Sequence, residues 1–161
     1  MLVGGRQINV SKKYPWRQDA LGNRLCALCG KPISSKSRKY CSKICQDTVY
    51  IECEPHFAHA KVRRRDKCVC AICGCDTRKL ERIMRHAQHM MEPWRGWREL
   101  RAIRRAMGFT CAHYWEMDHI QPVAEGGGSC GLENLRTLCI PCHRVETAQL
   151  RARLAVKKES M

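Results

Sequence analysis

Cysteine is the residue type that most limits how this chain can fold. The 161 residues include 13 cysteines, and eight of these form closely spaced pairs: Cys26 and Cys29, Cys41 and Cys45, Cys70 and Cys73, Cys139 and Cys142. Leu, Ile, Val and Phe together supply only 30 residues, while the net charge is +15. With so few large apolar residues and so much charge, burial alone cannot offset the entropy lost on folding. We therefore expect the cysteines to supply the missing stability.

The paired cysteines are better explained as zinc ligands than as disulfides. The N-terminal residues contain no apolar run of signal-peptide length. No stretch approaches the roughly 20 apolar residues of a membrane span. We therefore expect an intracellular protein that is not secreted, in which thiols stay reduced. The odd number of cysteines also argues against a complete set of disulfides.

Two structural zinc ions are predicted, each held by four cysteines. The first set comprises Cys26, Cys29, Cys41 and Cys45, and the second comprises Cys70, Cys73, Cys139 and Cys142. For the first set, buried thiols or a disulfide remain the alternative. For the second set, Cys68 and Cys75 flank the knuckle, so the ligand register could shift. The other cysteines, Cys53, Cys111 and Cys130, are interpreted as ordinary buried thiols.

The excess of positive charge indicates a polyanionic partner. Thirty Lys and Arg residues stand against 15 Asp and Glu residues. Eight zinc-bound thiolates and two zinc ions would lower the net charge only to about +11. We therefore expect the chain to bind nucleic acid. We expect neither a membrane nor a small-molecule cofactor as a partner.

Composition divides the chain into three segments and predicts a small α+β fold stabilised by zinc. Residues 1–24 are polar and basic without a clear period, and we interpret them as a flexible basic arm. Residues 25–60 form an N-terminal zinc unit that resembles a treble clef, in which Ser42 caps a helix. Residues 61–158 form a second domain, which starts with a basic connector, Lys61–Lys67.

Two helices are predicted between residues 76 and 108. Asp76 or Thr77 caps the first, and Leu80, Ile83, Met84 and Ala87 recur at helical spacing. The second helix starts at Pro93 and stops at Gly108. Its inward face is predicted to carry Trp97, Leu100, Ile103 and Met107. Basic residues outnumber acidic ones in this segment, so we predict DNA contacts by Arg98, Arg101 and Arg105, and by Arg144 further along the chain.

The segment 113–158 contains the residues that could bind a metal ion and take part in catalysis. We predict a strand at Tyr114–Ile120, a glycine loop at 126–128, a strand at Leu135–Cys139 and a basic helix from about Cys142 to Lys158. This arrangement would bring Asp118 and His143 together, with His119 on the adjacent wall. A carboxylate and an imidazole form an open site for a divalent ion. His119 could take a proton from water near neutral pH, while the Asn134 amide ties the intervening loop.

These residues resemble the motif of the HNH nucleases, whose three letters match His119, Asn134 and His143. The resemblance implies a ββα-metal core, an endonuclease activity on DNA, and one Mg²⁺ or Mn²⁺. It implies His119 as general base, Asp118 and His143 as metal ligands, and Asn134 as the loop brace. The four cysteines of the second set match the zinc site with which many HNH enzymes clamp the hairpin.

From Cys26 to about residue 148, the chain also resembles the HNH modules of annealing helicases that act at replication forks. The matching segments are Tyr40–Gln46, Ala60–Val62, Val69–Cys73, Trp115–Ile120 and Gly126–Asn134. The resemblance as a whole covers roughly three quarters of the chain. The resemblance implies a structure-dependent endonuclease, here without a helicase part.

A non-enzymatic interpretation remains open. A zinc-stabilised DNA-binding or regulatory module would explain the charge and the cysteines equally well. Asp-His dipeptides often cap turns, Asn134 could form an Asx turn, and His143 could belong to the neighbouring zinc site. The non-enzymatic interpretation leaves the ordered set Asp118, His119, Asn134 and His143 without a purpose, so we favour the nuclease.

Overall fold

The computed structural model describes residues 9–34, 38–91, 95–109 and 113–159 and forms two compact units. The first contains the described residues of Met1–Lys61 together with Gly128–Glu133. The second contains Val62–Gly127 and Asn134–Met161, again in their described parts. The sequence places a boundary between residues 60 and 61 but does not indicate that the segment 128–133 groups with the first unit.

The first unit starts with regular structure where an arm without regular structure is predicted. From residue 9 onward it contains helix α1 (Val10–Lys13), strand β1 (Arg17–Gln18) and strand β2 (Arg24–Leu25), and the strands pair antiparallel. The Asn9 side chain caps α1 by accepting from the Lys12 amide. These elements are too short to produce a hydrophobic period, which is why the sequence pattern misses them.

The core of the first unit is small and rich in sulfur. Helix α2 (Lys43–Cys53) starts at the predicted cap Ser42, whose hydroxyl accepts from the Cys45 amide. Its buried residues are Val49 and Cys53. They pack with Cys26, Ala27 and Tyr40. So few apolar side chains leave most of the cohesion to the cysteines, as the composition predicts.

The predicted basic connector is instead part of a helix. Helix α3 runs from Pro55 to Asp66, with proline at its first position, where no amide partner is lost. Ala58 and Val62 are buried and anchor it. Lys67 and Cys68 adopt positive φ angles of 54° and 65° and end it. Its basic residues therefore lie on a helix rather than in an irregular linker. Arg63 and Arg64 are exposed, whereas Arg65 donates to the Leu135 carbonyl at 2.6 Å.

The second unit consists of helices α4 (Thr77–Met90), α5 (Arg95–Ala106) and α6 (Ile140–Glu159) and strands β3 (Trp115–His119) and β4 (Leu135–Cys139). Asp76 caps α4 as predicted, since its carboxylate accepts from the Lys79 amide. Pro93, the predicted start of α5, lies outside the described residues. The strands match their predicted positions within one residue, and α6 starts two residues earlier than predicted. None of the described helices is both long and apolar enough to cross a lipid bilayer.

The predicted inward face of α5 is wrong for three of its four residues. Trp97, Ile103 and Met107 are 57%, 48% and 45% exposed, whereas Leu100 is buried. Helix α5 packs on α4 through a narrow stripe that contains Gly96 and Leu100. Gly96 and Leu100 are four residues apart and form a single row along the helix. This row is narrower than the apolar face predicted from the spacing of the apolar residues in the sequence. The exposed apolar side chains therefore border solvent.

The hairpin β3–β4 lies beside the core of the second unit. Its antiparallel register pairs Asp118 with Arg136 and His119 with Leu135. Buried Leu138 and Ile140 pack with Met84, Phe109 and Tyr114. The carboxylate of Asp66, at the end of α3, accepts from the Thr137 amide at 2.9 Å. This hydrogen bond ties the helix end to β4.

Candidate active site and metal centres

The four cysteines of the first predicted zinc site converge. Their sulfur atoms all lie within 4.8 Å of one another. The sulfurs of Cys29 and Cys41 are 3.4 Å apart, those of Cys41 and Cys45 are 3.5 Å apart, and those of Cys45 and Cys29 are 3.8 Å apart. Four sulfurs at about 2.3 Å from a tetrahedral zinc ion would be separated by about 3.8 Å. The cluster therefore has the size that zinc requires.

The second set of cysteines converges in the same way, and in the predicted register. The sulfurs of Cys70, Cys73, Cys139 and Cys142 lie within 4.8 Å of one another, and those of Cys73 and Cys139 are 3.6 Å apart. Neither Cys68 nor Cys75 belongs to the cluster. Cys139 ends β4 and Cys142 stands in the first turn of α6. A metal here would fasten the knuckle to the junction of strand and helix.

Backbone amides prepare one thiol in each cluster for metal binding. Burial opposes ionisation of Cys26, but amide hydrogen bonds from Cys29 and Cys41 outweigh it and lower its pKa to about 6. Burial opposes ionisation of Cys70 as well, and amides of Cys73 and Cys139 lower its pKa to about 6. Because a metal binds the thiolate, both positions are suited to coordination near neutral pH.

Asp118 and His143 lie close together, as the hairpin-helix prediction requires. The Asp118 Oδ1 and His143 Nε2 atoms are 3.9 Å apart, and the two side chains are 19% and 30% exposed. An Mg²⁺ ion with ligands at about 2.1 Å spans at most about 4.2 Å between opposite ligands. Neighbouring octahedral ligands are about 3.0 Å apart, so one ion could bind both atoms after a shift of a few tenths of an ångström toward the opposite-ligand distance. The donor set of one carboxylate oxygen and one imidazole nitrogen leaves room for water and phosphate oxygens.

Arg136 is a site residue that the sequence analysis misses. Its guanidinium donates to Asp118 Oδ2 at 3.0 Å and to Glu146 Oε2 at 2.6 Å. The neighbouring carboxylates stabilise its positive charge and raise its pKa, although burial opposes this. The signal for Arg136 is the hairpin register, which places it directly opposite Asp118. That register follows only once the loop geometry is known.

His119 is the last residue of β3 and is half-buried. Within the described part of the chain, its imidazole takes part in no hydrogen bond or ion pair. Its backbone neighbour Asp118 is already engaged by Arg136. No side chain among the described residues therefore competes for the nitrogen atoms of this imidazole.

Asn134 closes the loop between the two strands through three side-chain hydrogen bonds. Its Oδ1 accepts from the Gln121 amide at 2.7 Å. Its Nδ2 donates to the carbonyls of Gln121 at 3.1 Å and of Gly127 at 2.9 Å. The loop approaches itself so closely that a Cβ at Gly127 would lie 1.8 Å from the Gln121 carbonyl oxygen. Asn134 thus makes the contacts expected of a loop brace.

The four arginines predicted to contact DNA are all on helices. Arg98, Arg101 and Arg105 are exposed on α5, and Arg144 is exposed on α6. Arg144 donates to the Gly108 carbonyl at 3.3 Å. Their exposure makes the charges accessible to a polyanion.

Comparison with known proteins finds a family model and relatives that match this chain. The model of the family "HNH endonuclease" matches residues 108–149. The chain is 33% identical over 172 residues to "DNA annealing helicase and endonuclease ZRANB3" of Bos taurus and 31% identical to that of Homo sapiens. Each alignment covers 95% of this chain and 16% of the relative, so the chain spans about a sixth of the relatives' length.

A solved structure also matches. It is described as "Crystal structure of the human ZRANB3 HNH domain", is 31% identical, and aligns with a TM-score of 0.43. The match covers 64% of this chain and 95% of that one. The family model covers both strands of the hairpin and the start of α6. The chain belongs to the HNH endonuclease family.

Proposed function

We propose that this chain is a metal-dependent endonuclease that hydrolyses phosphodiester bonds of DNA. In this proposal β3, β4 and α6 form a ββα-metal core. Asp118 and His143 hold one Mg²⁺ or Mn²⁺ ion, and His119 is the general base. The observation that carries the proposal is the 3.9 Å approach of Asp118 Oδ1 to His143 Nε2, next in the chain to an imidazole without a partner among the described residues.

His119 would perform the proton transfer. A neutral imidazole carries one ring nitrogen without a proton, which can accept one. His119 would accept the proton of a water molecule that attacks the phosphorus opposite the leaving 3′-oxygen. The bond from phosphorus to the 3′-oxygen would break, and that oxygen would take a proton from solvent water, which gives 5′-phosphate and 3′-hydroxyl ends. When bound, the divalent ion supplies positive charge for the phosphate and the leaving oxygen.

The other named residues would hold this geometry. Arg136 would restrain Asp118 through Oδ2 and leave Oδ1 directed at His143. Asn134 would keep the end of β3 in position by closing the loop that follows it. The two cysteine tetrads would hold structural zinc, and the second would fasten β4 to α6. Rigid support of this kind is what positions catalytic groups.

DNA is the proposed substrate because the chain has a large positive net charge and is homologous to proteins that act on DNA. The net charge of +15 favours binding to a polyanion, and exposed arginines lie on α5 and α6. The names of the ZRANB3 relatives describe DNA annealing and endonuclease activities. We extend only the endonuclease activity to this chain, since the alignments cover a small part of those proteins.

A plasmid assay tests the proposal. Zinc-loaded protein is incubated with supercoiled plasmid in metal-depleted buffer, with and without added Mg²⁺ or Mn²⁺. Omitting the ion is preferable to adding a chelator, which would also remove zinc. Relaxed or linear DNA is expected only with the added ion, and His119→Ala should abolish it. The matched control is His86→Ala, which removes an exposed imidazole from α4.

One observation favours the non-catalytic alternative. The guanidinium of Arg136 already neutralises Asp118, which is how a purely structural carboxylate would be satisfied. On that alternative, the protein binds the plasmid and leaves it supercoiled at every ion concentration. If plasmid and a duplex with a single-stranded tail both stayed intact at saturating Mn²⁺, with DNA binding retained, a zinc-stabilised DNA-binding module would replace the nuclease proposal.

A further inference from the structure

A cavity of about 280 Å³ lies between α4 and α5 and has no role in the proposed chemistry. Its volume is close to the lower limit of ligand pockets, roughly 300 Å³. Helix α4 contributes Met84, Arg85 and Gln88, and α5 contributes Trp97, Leu100 and Arg101. Such a cavity accepts a small, compact group rather than a stretch of duplex.

The walls of the cavity are cationic. Three arginines and one glutamate line it, which leaves a net charge of +2. Arg85 pairs with that glutamate, Glu81, at 2.6 Å. Arg104 stacks over the Tyr114 ring, with its guanidinium carbon 5.3 Å from the ring centroid. Arg101 forms no ion pair within the described residues, so its charge is available to an anion such as a phosphate.

The same walls offer flat apolar surface. Trp97 is 57% exposed although it lines the cavity, and Met84 and Leu100 are buried beside it. An indole that is half open to solvent can stack on a planar base. The Gln88 amide supplies both a donor and an acceptor for a base edge. Together the walls match a nucleotide: an anionic group joined to a flat aromatic one.

One lining residue of the cavity is joined to the candidate active site by strand β3. Tyr114, which lines the cavity, precedes β3, and His119 ends that strand. Five residues of extended chain span at most about 17 Å. That distance corresponds to about five steps of duplex DNA at 3.4 Å per step. A nucleotide in the cavity could thus belong to the same DNA molecule as the cleaved phosphate.

We propose that the α4–α5 cavity binds one unpaired nucleotide of the DNA substrate, with its base against Trp97 and its phosphate near Arg101. A base inside a duplex is stacked and paired on both sides and cannot enter. The cavity therefore selects DNA that carries a single-stranded tail or an unpaired base close to the cleavage site. The inference rests on the proposed function in that it takes DNA as the substrate.

Binding in the absence of catalysis tests the inference. Zinc-loaded His119→Ala protein, without Mg²⁺ or Mn²⁺, is titrated against a fluorescently labelled blunt duplex and against the same duplex with a single-stranded tail. We expect tighter binding to the tailed duplex. Trp97→Ala should reduce this preference at least about fivefold, as expected for the loss of one stacked base, whereas Trp97→Phe should retain most of it.

Two matched controls separate the cavity from general charge and hydrophobicity. Arg101→Ala should weaken binding to the tailed duplex selectively, whereas Arg98→Ala, an equal loss of charge on the same helix, should weaken binding to both DNAs alike. Ile103→Ala removes an apolar side chain of similar exposure from α5, outside the cavity, and should leave the preference unchanged.

Equal affinity of the parent for the two DNAs would overturn the inference, and so would an unchanged preference in Trp97→Ala. Neither result would affect the nuclease proposal, which the plasmid assay tests separately. Conversely, a tail preference that depends on Trp97 in a protein that cleaves neither the plasmid nor the tailed duplex with Mg²⁺ or Mn²⁺ would support the cavity and contradict the nuclease.

Discussion

Arg136 donates to one oxygen of the Asp118 carboxylate at 3.0 Å, and the other oxygen of that carboxylate lies 3.9 Å from His143. The two residues face each other across the hairpin register. One oxygen of the carboxylate is thus held by a guanidinium, and the other faces the candidate metal position. The hydrogen bond from Arg136 restrains the rotation of the Asp118 side chain, so that a single oxygen is presented to an ion.

We expect Arg136→Gln to lower the cleavage rate at saturating Mg²⁺ by about ten- to a hundredfold, because partners that orient a metal ligand have effects of this size. The rate is measured as a function of ion concentration, with zinc content as a check of folding. Arg153→Gln is the matched control, since it breaks an exposed ion pair with Glu125. Equal rates for Arg136→Gln and the parent would show that the pairing has no role in positioning Asp118.

Asn134→Ala is expected to destabilise the protein by about 1–3 kcal/mol, because it removes three hydrogen bonds and leaves the Gln121 amide without its acceptor. Denaturant unfolding measures this change. Cleavage should fall as well, while zinc content stays at the parent level, because the three lost hydrogen bonds join Asn134 to Gln121 and Gly127 and not to a cysteine. If the variant kept the stability and activity of the parent, the proposed role of Asn134 in bracing the loop would be contradicted.

Asp66 provides a prediction about pH. Burial raises the pKa of its carboxyl group, but hydrogen bonds from Arg65 and the Thr137 amide outweigh this and bring it below the ordinary value of 3.8. A carboxylate with a lowered folded pKa stabilises the fold fully above its unfolded pKa and loses that contribution as the pH falls through the folded value.

Asp66→Asn should therefore unfold more easily at neutral pH, by about 1.5–3 kcal/mol for a charge-assisted hydrogen bond. The difference from the parent should stay constant between about pH 7 and pH 5, because both the folded and the unfolded pKa lie below that window. Urea midpoints across the window measure it. A difference that fades within the window would contradict the assigned hydrogen bonds.

Zinc content tests the register of the second cysteine set. Cys139→Ser should lose one of two zinc ions and the folded structure of the second unit, because zinc binding and folding are coupled in such small domains. Cys75→Ser should keep both ions, since its sulfur is outside the tetrad. Atomic absorption and circular dichroism measure the two effects. Loss of zinc from Cys75→Ser would shift the register to the alternative that the sequence leaves open.

The hairpin and the helix caps could be predicted from sequence because their signals are local. Ser42 and Asp76 cap helices as expected, and β4 has its predicted bounds. Convergence of the eight paired cysteines also follows from spacing, since ligand pairs separated by two or three residues have few other uses.

The remaining features depend on contacts that sequence spacing does not encode. Trp97 has the periodicity of a core residue, but α5 contacts the core through too narrow a stripe to bury it. In the sequence, Arg136 is indistinguishable from the many other basic residues. Only the strand register shows that it lies opposite Asp118. Asp66 lies in a basic run that looks like a connector, and its role depends on an amide 71 residues away.

Manganese binding measured together with cleavage tests the central claim most directly. Electron paramagnetic resonance of zinc-loaded protein should detect one tightly bound Mn²⁺ in the parent and in His119→Ala, and weakened binding in Asp118→Ala and His143→Ala. All three variants should fail to cleave plasmid. If Asp118→Ala bound Mn²⁺ like the parent, or if His119→Ala cleaved at the parental rate, the proposed active site would be contradicted.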